Sequence, residues 1–158
     1  ILFRDPVDRY ISDMYQNYNR VLSKLNDKNN SDLIADINLG LSKMDHMDYL
    51  EKWIVDELHI NLGYNFFERS KLNQNMYFID SNNNNDFLFM KMESLNTHFS
   101  NAAKEFFNCD IKLKGANISS EKSYNSLYNN TKAKINIPQQ ITMKMKTYRY
   151  TTMIYPIN

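Results

Sequence analysis

Cysteine, proline, glycine and tryptophan are all scarce in this chain, and it has no long run of hydrophobic residues. The single cysteine, Cys109, excludes an internal disulfide and any metal cluster built on cysteine, and we expect it to be a small buried residue. Without a long hydrophobic run, the sequence offers no candidate membrane-spanning segment. The formal net charge of +1 leaves no overall basic field, so nucleic acid is not an expected partner and any anion must be recognised locally.

The chain does contain enough apolar residues for one packed domain. Its 158 residues are 42% hydrophobic and 13% aromatic, which is sufficient for a single core. Segments typical of strands alternate with segments of helical spacing, and this order predicts an α/β fold. The predicted strands are 1–4, 76–79 and 87–92, and the predicted helices are 6–25, 32–39, 48–58, 95–107, 120–128 and one opened by Pro138.

Polar residues mark where several of these elements begin or end. The asparagine run at 82–85 predicts a hairpin turn, because asparagine tolerates positive φ and bonds to its own backbone. A polar turn is expected at 26–31. Asp48 and Glu51 are spaced as a capping box at the start of the third helix, and Gly63 lies beyond its end.

The first fifteen residues carry the sharpest motif, an apolar run that ends in Arg4, Asp5 and Pro6. The apolar run predicts the end of a buried strand, and Pro6 suits the first turn of a helix. Ser12 follows Arg4 by about two helical turns, so its hydroxyl is spaced to face a ligand that Arg4 also reaches. A guanidinium and a hydroxyl together suit a phosphate. The alternative interpretation is an ordinary helix start with a capping acid.

The spacing Arg-Asp-Pro-x-x-Arg-Tyr-x-Ser resembles the 3′-phosphate-binding segment of sulfotransferases that use 3′-phosphoadenosine 5′-phosphosulfate, especially the carbohydrate sulfotransferases. The resemblance implies that Arg4 and Ser12 bind the 3′-phosphate of this nucleotide. Weaker similarities, to bacterial sulfotransferase-like capsular polysaccharide synthesis proteins, lie at 48–53, 62–64, 87–95, 117–122, 127–128, 137–138 and 148–155. They imply a partial sulfotransferase fold of the phosphate-loop type, with a parallel sheet flanked by helices.

Sulfotransferases place a phosphate loop and its lysine well before the Arg-Asp-Pro segment, because backbone N–H groups and a cation bind the 5′-phosphosulfate. The sequence has no such loop before Arg4. We therefore expect residues 1–158 to be the C-terminal portion of a single sulfotransferase-like domain, inactive alone, and we assign no catalytic residue.

A second candidate contact lies in the loop at 117–122, which combines two hydroxyls with nearby cations. The resemblance implies that Asn117, Ser119 and Lys122 contact the nucleotide, and the alternative is an ordinary helix cap. Glu93, at the end of a predicted strand, either faces the cleft of the sheet or caps the next helix.

The remaining residues of interest are histidines and tyrosines. His46, His59 and His98 lie far apart and lack paired ligand spacing, so no metal site is predicted. Five tyrosines near the end of the chain are expected in the core or an interface, with the lining of a sugar groove as the alternative. They are Tyr124, Tyr128, Tyr148, Tyr150 and Tyr155.

The resemblance implies an enzyme that transfers a sulfuryl group from 3′-phosphoadenosine 5′-phosphosulfate, its co-substrate, to a hydroxyl of a carbohydrate. The lone thiol is compatible with a reducing bacterial cytoplasm, which is the expected compartment. Two alternatives stay open. One is a non-catalytic capsular or surface polysaccharide protein with the same fold, and the other is a nucleotide kinase relative with a phosphate loop.

Overall fold

The computed structural model describes residues 1–16, 32, 34–35, 38–39, 45–72, 74–114, 125–135 and 139–155. The strands are β1 (Leu2–Phe3), β2 (Tyr77–Ser81) and β3 (Asp86–Lys91). The helices are α1 (Pro6–Gln16), α2 (Asp45–Trp53), α3 (Phe66–Arg69), α4 (Leu95–Phe107), α5 (Asn125–Lys134), α6 (Gln139–Met145) and α7 (Arg149–Ile154). A π-helical segment, Ile54–Asn61, continues α2, and a 3-10 turn, Met92–Ser94, precedes α4. These elements confirm the α/β class.

The chain divides into two compact units. The first comprises Ile1–Asp5, Asp45–Lys114 and Lys144–Asn158, and it contains the sheet. The second comprises Pro6–Met44 and Gly115–Met143. None of the helices in the described ranges is long and apolar enough to cross a membrane.

The three strands form one sheet in the order β1-β3-β2. β1 runs parallel to β3, whereas β2 pairs with β3 in the antiparallel direction. The predicted parallel sheet is therefore corrected to a mixed one, because a short hairpin joins β2 to β3 and reverses the chain. The finer prediction, a partial fold of the phosphate-loop type, stays a prediction.

The hairpin turn is built by the asparagine run, as the sequence predicts. The Asn82 N–H donates to the Asn85 carbonyl at 3.0 Å. The Asn82 side-chain oxygen accepts hydrogen bonds from the N–H groups of Asn84 and Asn85, at 3.2 and 2.9 Å. Asn82 thus satisfies the backbone of its own turn, as this residue type does when it starts a turn.

Aromatic side chains form the core on one face of the sheet. The ring of Phe89, on β3, lies at centroid distances of 4.8 Å from Phe78 and 5.2 Å from both Tyr64 and Phe66. Phe3 joins this cluster through a stacked contact of 4.8 Å with Phe66. Each such fully buried ring contributes roughly 1.5–3 kcal/mol of stability. The two-residue strand β1 is therefore anchored by Phe3 as well as by its hydrogen bonds.

The segment that begins with α2 buries one face. Leu50, Ile54 and Leu58 recur at intervals of four residues and are all buried, as the helical spacing predicts. Gly63 follows the π-helical end of this segment with φ of +64°. A glycine suits that position because residues with a Cβ are strained there.

The predicted capping box is wrong. The helix begins at Asp45, so Asp48 lies inside it instead of at its start. The Glu51 carboxylate accepts a hydrogen bond from the Tyr150 N–H at 2.9 Å. Glu51 therefore satisfies a backbone donor near the start of α7.

Helix α4 has the bounds that the sequence predicts. Its end is set by Asn108, which adopts the left-handed conformation with φ of 53°, a common way to end a helix. The expectation that Cys109 is buried is wrong, because the chain leaves the helix at Asn108 and exposes the thiol.

The second unit contains α1 and α5. α1 begins at Pro6 as predicted and buries Val7 and Ile11. An ion pair of 2.8 Å joins Asp8 of α1 to Lys132 of α5. The rest of the predicted first helix, to residue 25, and the predicted turn at 26–31 lie outside the described residues. The described residues within 32–39 are helical, as predicted.

The last helices agree with the sequence only in part. α5 is described from Asn125 to Lys134, whereas 120–128 is the predicted range. α6 begins at Gln139, directly after Pro138, as predicted. α7 is not predicted by the sequence, and it buries Tyr150 and Ile154.

Candidate functional site

The carboxyl ends of β1 and β3 lie side by side because these strands run in the same direction. Phe3 is paired with Lys91, so the residues that follow each strand leave the sheet at the same edge. In α/β proteins this is the edge at which ligands bind. The residues at this edge, with the tyrosine that bonds to Glu93, are called the carboxyl-edge cluster: Arg4, Asp5, Lys91, Glu93 and Tyr155.

Arg4 follows β1 directly, as the sequence predicts. Its carbonyl oxygen accepts a hydrogen bond of 2.6 Å from the hydroxyl of Tyr150, a residue that is only 2% exposed. Arg4 is half-buried, and its guanidinium makes no hydrogen bond or ion pair with any residue in the described ranges. Since a guanidinium carries five donors in a fixed plane, this geometry suits an anion.

Glu93 connects three parts of this edge. One carboxylate oxygen accepts the Asp5 N–H at 2.8 Å, and the other accepts the Tyr155 hydroxyl at 2.8 Å. Glu93 lies in the 3-10 turn after β3, and Ser94 is the residue that precedes α4, so Glu93 is not the cap of that helix. The other interpretation, that Glu93 faces the cleft of the sheet, stays a prediction. Both oxygens are engaged, so the geometry of Glu93 is that of a positioning residue.

Lys91 and Tyr155 set the electrostatics beside Glu93. The Lys91 ammonium lies 5.5 Å from the centroid of the Tyr155 ring, a cation–π distance. Burial lowers the pKa of Lys91, and the nearby Glu93 carboxylate opposes this. Burial also raises the pKa of Tyr155, as do the charges and the hydrogen bond around it. Tyr155 is therefore a neutral hydrogen-bond donor over the whole physiological range.

The remaining predicted nucleotide contacts are Ser12, Asn117, Ser119 and Lys122. Ser12 is half-buried on α1, in the second unit. Its predicted convergence with Arg4 stays a prediction. Asn117, Ser119 and Lys122 lie outside the described residues.

The histidines do not form a common site in the described ranges. His59 is exposed in the π-helical segment, and His98 is half-buried on α4. Among the described residues, no group of three or more His, Cys, Asp or Glu side chains is placed to hold a metal ion.

Sequence reasoning missed how Tyr150 and Tyr155 act at this edge. It placed both tyrosines in a core or interface, and the burial of Tyr150 confirms that for its ring. Their hydroxyls contact Arg4 and Glu93, which lie 146 and 62 residues away along the chain. No periodicity or spacing in one sequence signals such contacts. The nearest signal is the density of tyrosine in the last part of the chain.

Comparison with known proteins gives a family match, which covers three of the five residues of the carboxyl-edge cluster. A family model named NKWYS and described as "putative capsular polysaccharide synthesis protein" matches residues 32–156. The match includes Lys91, Glu93 and Tyr155, and it begins after Arg4 and Ser12. No curated protein and no solved structure matches the chain. Since the matched residues make up most of its length, the chain belongs to the NKWYS family of capsular polysaccharide synthesis proteins.

Proposed function

We propose that this protein is a sulfotransferase of capsular polysaccharide synthesis, which moves a sulfuryl group from 3′-phosphoadenosine 5′-phosphosulfate to a carbohydrate hydroxyl. The observation that carries the proposal is the position of Arg4. It follows a strand that is parallel to β3, and its guanidinium is not bonded to any described residue. Family membership supports the polysaccharide part of the proposal, and the motif around Arg4 supports the nucleotide part.

In this proposal Arg4 binds the 3′-phosphate of the donor through two parallel N–H···O bonds, as guanidinium groups bind phosphate. The hydrogen bond from Tyr150 fixes the backbone of Arg4. Glu93 fixes the next residue by accepting the Asp5 N–H. A donor held by such fixed groups is oriented for in-line attack, and orientation of this kind lowers the barrier of group transfer.

The reaction itself is a displacement at sulfur. The oxygen of the acceptor hydroxyl forms a bond to sulfur, the bond from sulfur to the 5′-phosphate oxygen breaks, and adenosine 3′,5′-bisphosphate leaves. The proton of the hydroxyl passes to a general base. Ser12, Asn117, Ser119 and Lys122 are the further proposed contacts of the nucleotide.

The test is transfer of labelled sulfate. Full-length protein is incubated with 3′-phosphoadenosine 5′-[35S]phosphosulfate and purified capsular polysaccharide, and label in the polysaccharide is counted. We expect transfer by the wild type and a large loss with Arg4→Ala. The matched control is Arg149→Ala, since the Arg149 guanidinium stacks 4.1 Å from the Phe67 ring centroid and lies outside the carboxyl-edge cluster.

A second candidate function is a non-catalytic role in capsule assembly, which the family description also fits. Thermal shift separates the candidates. Stabilisation by adenosine 3′,5′-bisphosphate and not by ATP supports the sulfotransferase, stabilisation by ATP alone supports a kinase relative, and no response to either supports the non-catalytic protein.

A further inference from the structure

A polar groove lies along β2, and none of its lining residues belongs to the carboxyl-edge cluster. Its volume is about 540 Å³, and it is bounded by residues 71 and 74–76, by β2 and by α4. Small-molecule sites typically occupy roughly 300–1,000 Å³. The groove is therefore large enough for a ligand of one or two rings.

One wall of the groove is aromatic. Tyr77 of β2 and His98 of α4 lie with their ring centroids 6.4 Å apart and their planes at 54°. The Tyr77 hydroxyl donates to a Glu105 carboxylate oxygen at 3.0 Å. This bond holds Tyr77 against α4, so the aromatic wall is fixed in place.

Several polar groups around this wall have no hydrogen-bond partner among the described residues. The Nδ1 atom of His98 pairs with the Thr97 hydroxyl at 2.7 Å, which leaves Nε2 without a partner among the described residues. The side chains of Lys71, Gln74 and Asn75 are exposed and make no hydrogen bond with any residue in those ranges. Together they present both donors and acceptors to one space.

The balance of charge favours a polyol over a phosphate. The groove has one lysine, Lys71, and one carboxylate, Glu105. A phosphate site needs a surplus of cationic or N–H donors. A sugar hydroxyl both donates and accepts, so it matches amide, imidazole and carboxylate groups at once, and an aromatic wall offers apolar contact to the sugar ring.

The outer edge of β2 is also a surface to which a peptide strand could add. β2 has only five residues, and short edge strands are a device that limits such pairing. The mixed polar lining extends to α4, which a peptide paired with β2 would not need. A saccharide therefore fits the groove better than an added strand.

We propose that this groove binds one or two sugar units of a capsular polysaccharide, next to Tyr77 and His98. The proposal rests on the proposed function only for the choice of polysaccharide. The groove shares no lining residue with the carboxyl-edge cluster, so a substitution in one region can remove its ligand and leave the ligand of the other region bound.

The experiment applies labelled full-length protein to a printed array of bacterial capsular oligosaccharides, and then measures affinity for the best oligosaccharide by calorimetry. We expect His98→Ala and Gln74→Ala each to weaken binding about tenfold, the loss expected for one or two hydrogen bonds. Asn101→Ala is the matched control, since Asn101 is an exposed polar residue of α4 that does not line the groove. Its affinity should equal that of the wild type.

Two outcomes overturn the groove proposal: no oligosaccharide bound by the wild type, or equal affinity in wild type, His98→Ala and Gln74→Ala. Adenosine 3′,5′-bisphosphate is titrated into the same proteins. We expect His98→Ala to retain nucleotide binding and Arg4→Ala to retain oligosaccharide binding. Oligosaccharide binding without nucleotide binding supports the groove and removes the sulfotransferase proposal.

Discussion

The Tyr155 hydroxyl donates a hydrogen bond of 2.8 Å to Glu93, across 62 residues of sequence. The same carboxylate accepts the N–H of Asp5, the residue after Arg4. The end of the chain is thereby linked to the end of β1. This link fixes the backbone at the edge where the nucleotide site is proposed.

A double-mutant cycle tests that link. We expect Tyr155→Phe and Glu93→Gln to be coupled by about 0.5–1.5 kcal/mol in the free energy of unfolding, the net value of one such hydrogen bond. Urea unfolding at pH 7 measures the four proteins. The comparison pair is Tyr77→Phe with Glu105→Gln, a bond of 3.0 Å between the same residue types, in which the tyrosine hydroxyl is less desolvated than that of Tyr155. Coupling for Tyr155 and Glu93 that is no larger than that of the comparison pair would remove their role in fixing this edge.

Tyr150 holds the backbone of Arg4, and its ring is buried in the core. Tyr150→Phe keeps the ring and leaves the Arg4 carbonyl without its partner. We expect a loss of about 1–3 kcal/mol in the free energy of unfolding, the cost of an unsatisfied part-buried acceptor. Tyr49→Phe is the control, because Tyr49 is 61% exposed. Equal unfolding midpoints for the two variants would contradict this account.

The stability of the fold depends on pH in the acid range because of Asp80. Burial by itself would raise the pKa of Asp80, but hydrogen bonds from the Tyr64 hydroxyl and the Ser81 N–H, with the Arg69 guanidinium, bring it below its ordinary value. A carboxyl with a lowered pKa in the folded state adds stability above its unfolded pKa, and this stability is lost as the pH falls through the folded pKa.

We therefore expect Asp80→Asn to be less stable than the wild type at pH 7 by about 1 kcal/mol. This value is reduced because the ion pair of Asp80 with Arg69 is partly exposed to solvent. The difference should shrink below about pH 4. Thermal unfolding between pH 7 and pH 2.5 measures it, with the exposed Asp86→Asn as control. A difference between wild type and Asp80→Asn that stays constant with pH would show that the charge of Asp80 does not stabilise the fold.

Local signals account for the parts of the fold that the sequence predicts. The bounds of α4 follow from its helical spacing, the start of α1 from Pro6, and the hairpin from the asparagine run. These features depend on residues that are close in sequence. Cys109 was misplaced because its exposure depends on one left-handed residue, Asn108, which has no distinct pattern in a single sequence.

The candidate site was predicted only in part, for a related reason. Arg4 was found because a motif and a strand end coincide in the first residues. Tyr150, which bonds to the Arg4 carbonyl, and the bonded pair Glu93 and Tyr155 are brought to this edge by the parallel pairing of β1 with β3 and by the position of α7. Such contacts join residues that are far apart in sequence and depend on how the elements pack. A single sequence shows no periodic pattern that reveals them.

The proposed function depends on binding of the nucleotide's 3′-phosphate by Arg4. The most direct measurement is calorimetric titration of wild type and Arg4→Ala with adenosine 3′,5′-bisphosphate and with adenosine 5′-monophosphate, which lacks that phosphate. We predict that the wild type prefers the bisphosphate by about 1.5–3 kcal/mol, as expected for hydrogen bonds to a charged group, and that Arg4→Ala loses this preference. Equal preference for the bisphosphate in wild type and Arg4→Ala would contradict this role of Arg4.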